Sequence, residues 1–486
     1  MAGLRRKTLS GFLWIFAGTA GQNLLQFSVL LVLARILSPE EFGVISASMI
    51  IIGLIQIFSD MGVGPAIVQF KDLDDVHIGT GKTISALLGL LMGWVVYLIA
   101  EPYARFLDIE GVKESVQLLA LVLPIAGFTV VSQAILQRNL QFKKLIKFIF
   151  LSHVIGQLLV AIPAAFMGYG YKALIYAILA QNIALLLMVN LGQHFVKYQF
   201  DFEAAKRLLN FGFGQSLGKF ANYTAGQIDN LVVGKFLGGA ALGFYSRAYQ
   251  LMIMPVNLIG GTIDKVMFPA MAEIQDENEK LANIYINLTS LILMLFTPVA
   301  VVGVLCADEI VIFLLGDKWL SAAPVLEILV AVVFFRVGYK ISDSLSRAKG
   351  SVYRRAWRQT VYAILVGIGA YLGQFYGLRG VSIGVVLAIL CNYFMMLQLS
   401  YKLISFRWNE LLGVLLKGFV VLLFSAVPVW GAKRYLIPEY NALTITLLCT
   451  TISLFSFSVG LIFMRRFYKK EFLFFRQVVA WKARKL

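Results

Sequence analysis

Cysteine and histidine are scarce, at three each in 486 residues. Cys306, Cys391 and Cys449 each lie in an apolar run, too few and too scattered for a disulfide framework or a metal site. The histidines are isolated from one another as well, so the sequence offers no Cys/His cluster for metal, haem or nucleophile chemistry. Charge is also sparse: 14% of residues are Asp, Glu, Lys or Arg, against about 25% in ordinary soluble domains. No hydrophilic segment is long enough to fold as an attached soluble catalytic domain. These absences exclude a cytosolic enzyme, a disulfide-stapled secreted protein and a disordered chain.

What is present is long apolar runs. Hydrophobic residues make up 59% of the chain and mean hydropathy is +0.80. A spanning helix needs about 20 mostly apolar residues. Such stretches recur near 9–36, 43–68, 80–100, 115–136, 146–167 and 173–195, then near 208–237, 243–267, 284–306, 323–345, 357–376, 380–402, 411–431 and 442–464. They are too long and too weakly alternating for barrel strands. The expectation is an all-α polytopic membrane protein with about fourteen transmembrane helices.

The net charge of +17 would suggest nucleic acid in a soluble protein, but here it reports orientation. Basic residues gather at alternate helix ends: Arg5, Arg6 and Lys7; Arg138, Lys143, Lys144 and Lys147; Arg347, Lys349, Arg354, Arg355 and Arg358; and a run from Arg465 to Lys485. The positive-inside rule then puts both termini in the cytoplasm. The apolar run after Arg5-Arg6-Lys7 continues through Leu33 without a clear cleavage site, so it reads as a retained first helix.

A shift of 200 residues lays the chain over itself. Leu33-Ala34-Arg35-Ile36-Leu37 falls on Val233-Gly234-Lys235-Phe236-Leu237, and Phe42-Gly43-Val44-Ile45-Ser46 on Leu242-Gly243-Phe244-Tyr245-Ser246. Two hundred residues hold six helices, and an even number makes the repeats parallel. Transporters are often built this way, with the substrate site near the midplane where the repeats meet. The expected organisation is an N-lobe at 1–200 (helices 1–6) and a C-lobe at 201–405 (helices 7–12). Helices 13–14 at 406–465 and a basic cytoplasmic tail at 466–486 follow.

Polar groups inside spans are costly and point to function. In the first helix Thr19, Gln22 and Gln26 share a face; in the seventh, Gln215, Lys219, Asn222, Gly226 and Asp229/Asn230 repeat it. Both stripes fit the lining of one cavity, and both also fit interhelical hydrogen bonding. The tenth helix carries Arg336, Lys340, Asp343 and Arg347, spaced as a single stripe. A cation at the position of Arg336 needs a carboxylate (Asp343 or Asp229) or an anionic substrate to offset it. Arg247 either faces the cavity or snorkels to the outer interface. Asp60 lies where the second helix should break, as a cap for the segment after Gly64-Pro65, and His153 reads as a packing histidine. Gly79-Thr80-Gly81-Lys82-Thr83 imitates the end of a phosphate-binding loop, but the earlier glycine it requires is Val76.

With these residues in view, a family resemblance emerges. Leu33-Ala34-Arg35-Ile36-Leu37-Ser38-Pro39-Glu40-Glu41-Phe42-Gly43 resembles the first-loop signature of the polysaccharide transporter (oligosaccharide flippase) family, within the MOP (multidrug/oligosaccharidyl-lipid/polysaccharide) superfamily. Ser59-Asp60-Met61-Gly62 with Ala66-Ile67-Val68-Gln69 is similar to a second landmark. Gly234-Lys235-Phe236-Leu237-Gly238 with Leu242-Gly243-Phe244-Tyr245-Ser246-Arg247-Ala248-Tyr249 is similar to a third. The resemblance implies two six-helix bundles plus a terminal pair in the bacterial inner membrane. It also implies flipping of undecaprenyl-pyrophosphate-linked oligosaccharide units for O-antigen, capsule or exopolysaccharide. Partners would be the lipid-linked oligosaccharide, membrane lipids, an H⁺ or Na⁺ counter-ion, and polysaccharide polymerase and assembly proteins; no nucleic acid and no cofactor are expected.

On this reading Lys219, Arg247, Arg336 and Lys340 form a cationic cavity for the diphosphate. Asp229 and Asp343 compensate charge or couple ions, and Gln22, Gln26, Asn222 and Asn230 complete the polar lining. Alternatives are a MATE-type drug/cation antiporter, whose pocket should be acidic and aromatic, and a peptidoglycan lipid-precursor flippase. A membrane glycosyltransferase, polymerase or ligase would need a larger outer loop than 101–114.

Overall fold

In the computed structural model residues 2–70, 72–191, 197–435 and 440–463 are described. The basic tail expected at 466–486 lies outside them. Among the described residues the chain is helical throughout, with no strand. Among the described residues nine helices are long and apolar enough to cross a membrane, and a bent pair, Asp317–Val330 with Val333–Ala348, meets the test jointly. The protein is a multi-pass helical membrane protein.

The chain divides into two compact units, Met1–Gly243 and Phe244–Leu486. The first boundary therefore falls after the seventh apolar stretch, whereas the 200-residue repeat divides the sequence before it.

In the first unit, α1 (Ala2–Ile36) leads to α2 (Pro39–Asp60) through a corner written into the sequence. Ser38 is the N-cap, its hydroxyl accepting from the Glu41 N–H (3.2 Å), while the Glu41 carboxylate accepts the Ser38 N–H (2.6 Å). Pro39 sits at the first helical position, where a missing N–H costs nothing. The far end of α2 is equally definite: Met61 (φ 37°) and Gly62 (φ 64°) are both left-handed, and α3 (Val63–Gln69) starts afresh. α4 (Asp75–Leu107) turns small residues inward, burying Gly89, Gly93, Val96 and Ala100. It leaves Leu87, Leu90, Leu91, Trp94 and Leu98 exposed at helical spacing. Small residues on the packed side and large apolar ones outside are what a lipid-facing helix requires. The Gly79–Thr83 segment lies within α4, not in a phosphate-cradling loop.

α5 (Val112–Leu119), α6 (Val122–Arg138), α7 (Phe142–His153), a π-helix (Val154–Ala161), α8 (Ile162–Phe166) and α9 (Tyr171–Asn190) complete the run. His153 is bonded to its own helix through the Ile149 carbonyl (2.9 Å), as a packing histidine is.

α10 (Phe202–Glu273) is far too long for one crossing and is interrupted at Gly238 (φ 86°, ψ 179°). Its first part packs with the first unit: Ala205 and Leu208 enter a core with Val63, Ile67, Ile84 and Val131. Near the break the backbones meet directly. A Cβ on Gly43 would overlap the carbonyl oxygen of Gly239, and a Cβ on Gly243 would overlap that of Pro39. Positions 39 and 239, like 43 and 243, are equivalent under the 200-residue shift.

The second unit holds the rest of α10, then α11 (Asn278–Leu305), α12 (Ala307–Leu315), α13 (Ala323–Val330), α14 (Val333–Ala348), α15 (Val352–Gly373) and α16 (Gly377–Ile404). α17 (Trp408–Tyr435) packs on α11 and on α18 (Ala442–Phe463), which attaches the C-terminal pair to this unit. α15 and α16 form a tight antiparallel hairpin, with Gly369 against Gly384 and Gly373 against Gly380.

Candidate functional site

The first unit contains a cavity of about 440 Å³ between α2 and the first part of α10. Its α2 wall is Met49, Gly53, Gln56, Ile57 and Asp60, and its α10 wall is Lys219, Tyr223 and Gln227. Steps of three and four residues, with Ile57 beside Gln56, put each set on one helical face. Gly53 makes the approach: a side chain there would overlap the Tyr223 hydroxyl, which donates to the carbonyls of Met49 (2.8 Å) and Ile50 (3.2 Å).

Asp60 departs from its expected role. The N-cap of α3 is Gly62, with no side-chain cap, because the left-handed pair Met61-Gly62 already turns the chain. The Asp60 carboxylate instead lies within electrostatic reach of the Lys219 ammonium. Lys219, itself exposed, thus has a carboxylate as an electrostatic neighbour across the cavity.

The amides divide. Asn230 is buried and donates to the Gln227 side-chain oxygen (2.9 Å), and buried Asp229 accepts the Asn230 backbone N–H (2.9 Å). Asn222 and Gln26 are exposed, and Gln22 is half-buried. The side chain of Gln215 lies outside the described residues.

In the second unit α14 presents its charged stripe while burying Val337, Ile341 and Leu345 on another face. Arg336 is not offset by a carboxylate at bonding distance among the described residues. Its guanidinium donates to the hydroxyls of Tyr249 (2.7 Å) and Tyr362, and lies 5.8 Å from the Tyr362 ring centre. Phenol oxygens and a ring face supply negative potential without a formal charge. Asp343 pairs instead with Arg347 (3.3 Å) and Arg355, and Arg347 covers the Phe268 ring at 4.8 Å. Lys340 runs along Gly260, which has no side chain to block it. Arg247 folds along its own helix to the Gln250 side-chain oxygen (2.6 Å).

Two groups escaped the sequence reading. Tyr249 lies in the segment from which Arg247 was chosen, and Tyr362 in a run read simply as apolar; their roles arise only across helices. Arg358 was counted among loop cations, yet it is buried in α15 and donates to the carbonyls of Met395 (3.1 Å) and Arg354 (2.6 Å).

Comparison with known proteins follows the same lines. Lipopolysaccharide biosynthesis protein WzxC of Escherichia coli (strain K12) is 28% identical over 407 residues, covering 81% of this chain and 82% of its own. Succinoglycan biosynthesis transport protein ExoT of Rhizobium meliloti (strain 1021) is 25% identical over 323 residues, 65% of this chain and 64% of its own. Among solved structures, the lipid II flippase MurJ in an inward closed conformation superposes with a TM-score of 0.77 over 93% of this chain and 99% of its own, at 15% identity. An inward-facing multidrug resistance MATE transporter of the MOP superfamily gives 0.65, over 79% of this chain and 94% of its own, at 18% identity. At such identities these two define the fold alone. A family model described as polysaccharide biosynthesis protein matches residues 32–324, more than half of the sequence, and the chain belongs to that family.

Proposed function

We propose that this protein moves lipid-linked oligosaccharide units across the bacterial inner membrane by alternating access, for assembly of O-antigen, capsule or exopolysaccharide. The observation that carries the reading is a contrast: a member of a polysaccharide biosynthesis family consists, over its described residues, of apolar helices. ExoT, named as a transport protein, supplies a relative of the same kind. Half-buried cations suit a diphosphate-linked substrate. Arg247, Arg336 and Lys340 are the groups proposed to meet it, with Asp343 balancing charge and Asp229 as the proposed coupling site for an H⁺ or Na⁺ counter-ion. Their basic excess favours an anionic substrate over the organic cation of a MATE-type antiporter.

Fourteen crossings are part of this proposal. The 53-residue stretch Val352–Ile404 is about 80 Å of helix at 1.5 Å per residue, and its antiparallel hairpin makes it two spans. The bent pair, α1 and the two parts of α10 supply the remainder. The six-helix repeats at 1–200 and 201–405, the terminal pair at 406–465 and cytoplasmic termini belong to the same reading. The paired glycine contacts at 43/239 and 243/39 support the repeat.

The test is the double variant Arg336→Ala/Lys340→Ala in a host deleted for the native gene. Surface polysaccharide should fall at least about tenfold, a loss of ~1.4 kcal/mol in the limiting step, with lipid-linked precursor accumulating. Unchanged export at normal protein level would remove these residues from the site. Normal export by the deleted host itself would sink the flippase reading.

A further inference from the structure

The cavity of the first unit differs in chemistry from the cationic stripe of the second. Its volume, about 440 Å³, lies in the range of about 300–1,000 Å³ usual for ligand pockets. Its polar groups are two amides (Gln56, Gln227), one carboxylate (Asp60) and one ammonium (Lys219). The formal charges cancel.

That balance selects among ligands. An anion drawn to Lys219 would meet Asp60, and a metal cation drawn to Asp60 would meet Lys219. Each would leave one like charge facing it, which disfavours a charged ligand. A neutral polyhydroxylated ligand has no such conflict. Each hydroxyl both donates and accepts, so vicinal hydroxyls can give hydrogen bonds to Asp60 and the glutamine oxygens. They can also accept from Lys219 and the glutamine nitrogens. Tyr223 adds an aromatic side chain to the wall, with its hydroxyl committed to the Met49 and Ile50 carbonyls.

We propose that this cavity is a saccharide subsite, in which Gln56, Asp60, Lys219 and Gln227 hydrogen-bond sugar hydroxyls of the transported unit. The proposal rests on the lipid-linked oligosaccharide reading and refines it: Lys219 becomes a sugar ligand, not a phosphate ligand.

The test uses the purified full-length chain and two probes. One is the prenyl-diphosphate-linked glycan extracted from the protein's own host after deletion of this gene; the other is undecaprenyl diphosphate without sugar. The wild type should bind the glycan-bearing lipid at least about tenfold more tightly. Gln56→Ala/Gln227→Ala, which keeps both charged groups of the cavity, should lose that preference in protein that purifies at the wild-type yield. Its affinity for bare undecaprenyl diphosphate should stay within about twofold. Lys219→Met should behave in the same way. Equal wild-type affinity for both lipids overturns the proposal. So does an equal loss for both probes in Lys219→Met, which would make Lys219 a phosphate ligand. Failure of the broader flippase reading registers elsewhere, as normal polysaccharide export from the deleted host.

Discussion

Arg336 is held by two phenols and one ring face, an arrangement that tethers a guanidinium while leaving its full charge in place. A carboxylate would have neutralised it; tyrosines orient it. Removing both hydroxyls with Tyr249→Phe/Tyr362→Phe should therefore free the side chain without deleting the cation. Hydrogen bonds to a charged group are worth about 1.5–3 kcal/mol each, so the purified double variant should melt several degrees lower. Export should fall further than the stability loss explains, measured at matched protein levels. Arg336→Lys should not substitute, because an ammonium lacks the planar fork that reaches two hydroxyls on different helices.

The joint between α2 and α10 makes a sharper demand. Where two backbones touch, a methyl group has nowhere to go, and overpacking costs about 1–3 kcal/mol. Gly43→Val should lower the melting temperature and the yield of folded protein. Gly413, inside α17 and open to space, with nothing near where a side chain would stand, gives the contrast: Gly413→Ala should be neutral or raise stability by up to about 1 kcal/mol. Thermal melts of the two purified variants check both signs. The same joint explains why this stretch of sequence was readable. Ser38, Pro39, Glu41 and Gly43 each satisfy a local rule for capping or close approach, and local rules leave a mark in spacing. Asp60 was misread for the converse reason. Its position at a helix end suggested a cap, and only the three-dimensional meeting of α2 with α10 reveals Lys219 as its counterpart. Tyr249 and Tyr362 are of the same sort, since no periodicity within one helix announces a partner on another.

For the whole molecule, the helical class and the apolar stretches were legible because a bilayer imposes length and polarity on every span. The expected repeat, with its second half from 201, concerns which segments are related, whereas the compact units, divided after Gly243, reflect which faces pack together. Cytoplasmic termini give a direct test. Single cysteines placed near residue 3 and near residue 480, in a background lacking Cys306, Cys391 and Cys449, should react with a membrane-impermeant maleimide only after the cells are opened; labelling of either in intact cells would reverse the orientation. The glycine joint has one more consequence, for the order of synthesis. The backbone that fits against Gly43 belongs to Gly239, about 200 residues downstream, and at about 5–20 residues per second it emerges about 10–40 s later. Through that interval α2 waits in the membrane with a groove shaped for a partner that has not yet been made, so the first unit closes only when the first part of α10 arrives.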